Sequence, residues 1–310
     1  MARLPRVKNK TDGGWYHIHA SVGGAAGYYP LSDPVVRHKL LNIIKFYNHA
    51  YFSGVAAFEL MGNHYHLVMR FDPRRTVSSK ELWERALRLY PGSEKKLLAW
   101  PRKRWRRLQK RIFDLSEFMR NVQAAFARWY NKTSGRKGHL WGSRFKSNVL
   151  ADPQAVLESV MYIELNAVRA GLATQPEEFA GGSLYLRDMG KDEWLLPLGE
   201  FYPEPGARHY ERFKELVYHR GAVVTKPNQK PISPEVIARE QARGFAPSGV
   251  YRKRLRYFTD GVVLGGENLI REKLADLRRT GHFLRRKNPV PAEYGALFQL
   301  REQRSNFVFL

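Results

Sequence analysis

The 310-residue chain contains no cysteine. Disulfides, thiolate metal sites and cysteine nucleophiles are therefore excluded, and any metal must be held by imidazole, carboxylate or amide groups. Apolar runs of about 18 residues are also missing, and no signal-type apolar core follows the start Met1-Ala2-Arg3-Leu4-Pro5-Arg6-Val7-Lys8. The expectation is a cytoplasmic protein with no membrane partner, nucleoid-associated if bacterial. Acidic residues are scarce: 29 Asp and Glu stand against 53 Lys and Arg, a formal net charge of +24. Solubility needs far less, so the excess points to a polyanionic partner, with nucleic acid first among the choices. The glycine pair Gly265-Gly266 lacks both the Walker spacing and the dinucleotide fingerprint, so it reads as a turn and no nucleotide cofactor is expected.

Against these absences stands an apolar fraction of 43%, enough for a sizeable core in one main domain and a smaller second one. Trp15 to Val22 reads as a strand. Asp33-Pro34 supplies an N-cap and a first-turn proline for a helix whose Val36, Leu40, Ile43, Ile44, Tyr47 and Tyr51 recur at helical spacing. Val55 to Leu60 and His66 to Phe71 form a hairpin around Met61-Gly62-Asn63. Asp114, with Glu117 three residues on, opens a helix with an apolar face of Leu115, Phe118, Met119, Val122, Phe126, Trp129 and Tyr130. Ser143 to Leu150 is a further strand, and Asp152-Pro153 starts a helix that ends near Gly171. The order βαββαβ with a trailing helix predicts an α+β fold: a ferredoxin-like antiparallel sheet sandwich with that last helix packed on it.

Two segments suggest chemistry. In His64-Tyr65-His66 the period of a strand puts both imidazoles on one face and Tyr65 on the other. About a hundred residues later, Tyr162 and Asn166 stand at i and i+4 of one helix, where their side chains are neighbours. Two nitrogen ligands, one oxygen ligand and a phenol form a candidate phosphodiester-cleaving site, in which His64, His66 and Asn166 hold a divalent metal, Mg²⁺ or Mn²⁺, and Tyr162 attacks. Glu164 points away from Tyr162 and is left out. Arg169, seven residues after Tyr162, shares its face and is a candidate DNA contact, as are Arg144 and Lys146 just upstream. The segment from Pro101 to Arg111 has no acid and interleaves Trp100 and Trp105 with guanidinium groups, so Arg104, Trp105, Arg106 and Arg107 read as a DNA-contacting loop.

Three stretches carry a family resemblance: 58–68 (Phe-Glu-Leu-Met-Gly-Asn-His-Tyr-His-Leu-Val), 138–146 (Gly-His-Leu-Trp-Gly-Ser-Arg-Phe-Lys) and 162–172 (Tyr-Ile-Glu-Leu-Asn-Ala-Val-Arg-Ala-Gly-Leu). In this order they resemble the HUH single-tyrosine transposases, and more closely the REP-associated tyrosine transposases. The resemblance runs from about Trp15 to Leu172 and is fainter from Arg254 to Leu277. Gly62 and Ala167 stand where that family leads one to expect proline, and the stretch 72–111 is longer than the family's connection. The resemblance implies a palm with the His pair on a central strand, attack by Tyr162 that leaves a 5'-phosphotyrosine and a free 3'-OH, and strand transfer at hairpin-type sites by a monomer or homodimer. The implied partner is single-stranded or hairpin DNA.

The expected layout is a basic arm at 1–14, a catalytic domain at 15–196 with a basic insertion at 72–111, a linker and accessory segment at 197–250, and a small, mostly helical C-terminal region at 251–310. Two alternatives stay open: a host-retained DNA- or RNA-binding protein without turnover, and a metal-dependent hydrolase of a small substrate. The second needs a third histidine or carboxylate in a barrel-strand setting.

Overall fold

A computed structural model of the chain describes residues 13–202, 208–223, 229–245, 261–279, 290–291 and 298–301. Residues 1–12 of the expected basic arm and much of the 251–310 region, its start included, lie outside these residues. Strand β1 (Gly14–Ser21) leads to helix α1 (Pro34–Ala50). The Asp33 carboxylate starts that helix, accepting the Val35 N–H at 2.7 Å with Pro34 at the first helical position. Strands β2 (Ser53–Leu60) and β3 (His64–Phe71) form the hairpin, closed by the Met61 N–H donating to the His64 carbonyl at 2.9 Å. A Cβ added at Gly62 in that turn would lie 2.8 Å from Ser32 Oγ, so the tight approach of Tyr29 and Ser32 suits glycine.

The insertion forms three helices, α2 (Ser79–Leu89), α3 (Glu94–Leu98) and α4 (Arg102–Arg111). The basic stretch is thus a helix and not a loop. It has a core of its own, in which Val77, Leu82, Ala86, Leu97 and Leu108 bury against Phe52, Ile112 and Phe113. Helix α5 (Leu115–Thr133) begins at the expected cap, where Asp114 accepts the Ser116 N–H at 2.8 Å. Strand β4 (Lys146–Leu150) starts later than the sequence suggests, leaving Arg144 in the exposed segment before it.

Asp152 then caps α6 (Pro153–Glu164) through the Ala155 N–H at 2.8 Å. This helix does not run unbroken to Gly171. It stops at Glu164, and Leu165 separates it from the short α7 (Asn166–Arg169). Helices α8 (Ser183–Asp188), α9 (His209–Gly221) and α10 (Pro234–Ala242) follow, then β5 (Gly261–Gly265), α11 (Glu267–Arg279), β6 (Val290–Pro291) and β7 (Phe298–Arg301). In the 197–250 segment, expected as a linker and accessory segment, Phe213, Leu216 and Val217 of α9 share a buried cluster with Val160, Met161 and Ile163 of α6.

One sheet holds the strands in the order β2-β3-β1-β4-β5-β7-β6. The first four are antiparallel to their neighbours, which is the ferredoxin-like order expected. The C-terminal region adds what the sequence did not announce: β5 joins β4 in parallel and carries β7 and β6 beyond it. Because side chains alternate along each strand, one face presents Tyr16, Ile18, Tyr65, Leu67, Met69 and Val149 to the apolar cluster shared with α1 and α5. The other face, with Ala57, Val68 and Leu150 in the cluster of α6, carries the histidines. Among the described residues, no helix is long and apolar enough to cross a membrane.

Candidate metal and nucleophile site

Strand register places the polar side chains of this second face in rows. Glu59 pairs with His66, His66 with His19, and His19 with Lys146, so Glu59, His66, His19 and Lys146 line up across β2, β3, β1 and β4. One step along, His17 pairs with Val68 and Asn148. His64 stands two residues before His66 on the same face. The ligand atoms of His19, His64 and His66 all lie within 4.8 Å of one another.

Burial keeps these imidazoles unprotonated at neutral pH, as coordination requires. His66, 3% exposed, is held well below the ordinary imidazole range by burial first and by His17, His19 and His64 next. Burial, then His64 and Lys146, lower His19 to about 4, and burial alone lowers His64. Two ring orientations are set from behind. His64 Nδ1 lies 2.8 Å from Asn63 Oδ1 and donates to it. His66 Nδ1 lies 2.9 Å from His17 Nε2, the two rings stacking at 5.1 Å. With those nitrogens engaged, Nε2 of both His64 and His66 is left to face an ion, the arrangement that outer partners impose on metal-bound histidines.

Tyr162 reaches this cluster from α6. Its ring centroid is 5.9 Å from those of His17 and His66, and the Arg169 guanidinium lies 5.9 Å from its centre. Arg169 is 8% exposed. It is therefore a largely buried cation beside the phenol. Asn166 opens α7, half-buried. It stands beside Glu59, which is 1% exposed and whose Oε1 accepts the Ala167 N–H at 2.9 Å. That bond pins the junction between α6 and α7 to the edge strand β2. Burial raises the Glu59 carboxyl well above the usual range, with the Ala167 bond opposing it. Glu59 Oε2 and Asn166 Nδ2 are both buried, and the Asn166 side chain adds to the Ala167 bond in opposing the rise of the Glu59 carboxyl.

The remaining sequence-predicted residues separate. Glu164 does turn elsewhere, taking Ser183 Oγ at 2.6 Å and the Leu184 N–H at 3.0 Å, with burial pushing it up to about 7. Tyr65 is buried on the opposite face against Trp141. Arg144 and Lys146 are exposed, Lys146 at the end of the histidine row. Arg104, Arg106 and Arg107 are exposed on α4, whereas Trp105 is half-buried against Trp83 and Trp100, with ring centroids 5.8 and 5.2 Å away. These four do not join the histidine cluster: the insertion leaves β3 after Phe71, the end away from His64. Sequence reading missed His17, His19 and Glu59. A signal was there, because His17-Ile18-His19 repeats the spacing of His64-Tyr65-His66 on another strand.

No family model matches the chain, and no curated protein matches it. Among solved structures, the chain is similar to a REP-associated tyrosine transposase bound to a REP hairpin. The identity is 14%, the match covers 67% of this chain and 93% of that one, and the TM-score is 0.40. A likeness of that size carries nothing for the chemistry, which rests on this chain's own side chains.

Proposed function

We propose that the protein is a metal-dependent phosphodiester transferase that uses a tyrosine nucleophile. More narrowly, it is a transposase that cleaves and rejoins single-stranded DNA at hairpin-type, REP-like sites. The observation that carries this reading is the Tyr162 ring seated on His17 and His66, at the edge of three unprotonated imidazoles. Neutral nitrogen donors packed this closely suit a divalent ion. Of the two expected, Mn²⁺ tolerates them better, since Mg²⁺ demands near-ideal octahedral oxygen coordination. His19, His64 and His66 would hold it, with Asn166 adding an oxygen. When bound, the ion would polarise the phosphate and help align it with the attacking oxygen.

The chain's own groups do the rest. A phenol ordinarily titrates near 10 and is a weak nucleophile at neutral pH; the Arg169 guanidinium, 5.9 Å from the ring centre, places a positive charge beside the attacking group and the phosphate it meets. Tyr162 Oη bonds to phosphorus as the P–O3' bond breaks, its proton passes to solvent, and the leaving oxygen takes one up as a 3'-OH. The 5'-phosphotyrosine retains the phosphodiester bond energy, so attack by another 3'-OH rejoins DNA without ATP. Glu59 positions the nucleophile by holding Ala167 at the junction of α6 and α7. The exposed Arg144 and Lys146 neutralise the incoming strand.

The test is incubation with a hairpin oligonucleotide and Mn²⁺, which should give a protein-linked DNA band that carries a 3'-end label and not a 5'-end label. EDTA should abolish the band. Tyr162→Phe removes only the oxygen and should abolish the band too, with folding and DNA binding retained; an adduct on that variant would show that another residue attacks. His19 also favours a second reading, because a third imidazole is what a hydrolytic metal site requires. The ferredoxin-like sheet is not the barrel that reading began from. Product ends found free of protein would nonetheless select it.

A further inference from the structure

Helix α4 is built against its own stability. Seven of its ten residues are Lys or Arg and none is acidic. Like charges three and four residues apart repel, and cations in the first turn oppose the helix dipole. Burial of Leu108 and half-burial of Trp105 hold it down. Arg104, Arg107 and Arg111 recur at i, i+3 and i+7, so they share one face. That face lines a cleft of about 440 Å³ together with Tyr90, Trp100 and Lys103, and every charged residue lining it is a cation. Arg111 is matched by Glu117 at 2.5 Å. Among the described residues, no carboxylate pairs with Lys103, Arg104 or Arg107. The aromatic wall is ready-made: Trp100 is half-buried, Tyr90 meets it edge-on at 5.3 Å, and the Arg104 guanidinium covers its ring at 3.8 Å.

We propose that this cleft binds unpaired single-stranded DNA, as an anchor distinct from the histidine site. Trp100 offers a stacking surface to a base, with Arg104 displaced from the ring onto the neighbouring phosphate, and Lys103 and Arg107 neutralise the backbone on either side. A ring beside a row of guanidinium groups is how unpaired strands are gripped without regard to sequence. Duplex DNA buries its base faces and would use only the charges. The anchor sits at the Phe71 end of β3, seven residues from His64 and so about 23 Å along the strand. DNA held there is flanking sequence, not the bond being cut. The choice of DNA rests on the function proposed above; binding is measured apart from it.

The test is fluorescence anisotropy of a labelled twenty-residue oligo(dT) on the full chain without divalent ions. Arg104→Glu with Arg107→Glu should weaken binding at least about tenfold and flatten the logarithmic salt slope by about 1.4, two contacts at 0.7 each. Trp100→Ala should weaken oligo(dT) by about fivefold or more and leave the slope, and the affinity for a blunt duplex, unchanged. Circular dichroism monitors the fold of each variant. Because the charge variant alters exposed residues alone, it decides the matter if Trp100→Ala misfolds. A folded charge variant with wild-type affinity and slope overturns the proposal, as does a folded Trp100→Ala that loses oligo(dT) and duplex equally. If wild-type protein binds oligo(dT) in this way but forms no DNA adduct with Mn²⁺, the anchor stands and the transferase reading falls.

Discussion

Beneath α1 and α5 the sheet presents Tyr16, Ile18, Tyr65, Leu67 and Met69, all of them buried and apolar. Beneath α6 the same two strands present His17, His19, His64 and His66, joined by Glu59 of β2 and Asn148 of β4. The two sets alternate residue by residue, so one short strand serves both. Apolar contacts gain stability on the first face. On the second, a desolvated carboxyl costs it. The difference teaches where the fold tolerates loss and where the chemistry does not.

Substitutions at matched depth should break the comparison most sharply. His64→Ala with His66→Ala is expected to lower adduct formation on the order of 10³-fold while moving the unfolding free energy by no more than about 2 kcal/mol. Phe118→Ala, on the dry face and fully buried, should cost about 3–5 kcal/mol. Urea unfolding beside the adduct assay decides; a histidine pair that costs as much stability as Phe118 would make the polar face merely core.

The next effect is on pH. Burial raises Glu164 from 4.5 to about 7, so between those values the folded state keeps a proton that the unfolded chain has lost. The Glu164 contribution to stability then falls as pH rises through that window, by up to about 3 kcal/mol, against the opposite slope from His19 and His66, whose folded forms give up their protons more readily than the unfolded chain. Glu164→Gln should therefore make stability rise more steeply with pH than in the wild type, and an unchanged slope from pH 4.5 to 7 would assign that window to other groups.

Smaller shifts separate the proposed ligands. His19→Ala and Asn166→Ala should each raise the Mn²⁺ needed for half-maximal adduct by about 10- to 100-fold, and excess Mn²⁺ should restore both. Rescue of His19→Ala alone would remove Asn166 from the ligand set. Smallest is the rim: Arg144→Glu with Lys146→Glu should weaken hairpin binding several-fold for every sequence tried and reduce its salt dependence. Unchanged affinity between about 50 and 200 mM salt would show that those side chains do not meet DNA.

What the sequence made legible was local. Asp33, Asp114 and Asp152 announced their helices because a cap bonds within three residues, and His64 and His66 shared a face by strand period alone. His19 was hidden because it meets His66 only through pairing between strands 47 residues apart in sequence. Glu59 looked like one polar residue in an apolar strand until register set it beside His66. The charge of α4 masked its helical nature, for its apolar anchors are few and face a core made by other segments. β5, β6 and β7 are too short for periodicity to show.

The parallel pairing of β4 with β5 has a consequence in time. β4, the strand that carries Lys146 and Asn148, ends at Leu150, whereas its outer neighbour begins at Gly261. Roughly 110 residues separate them, on the order of 5–20 s of ribosome travel. Throughout that interval the outer edge of β4 stays unpaired, directly beside the histidine row. A newly made molecule therefore acquires its finished palm only after Gly265 has been added to the chain, long after the histidines and Tyr162 are in place.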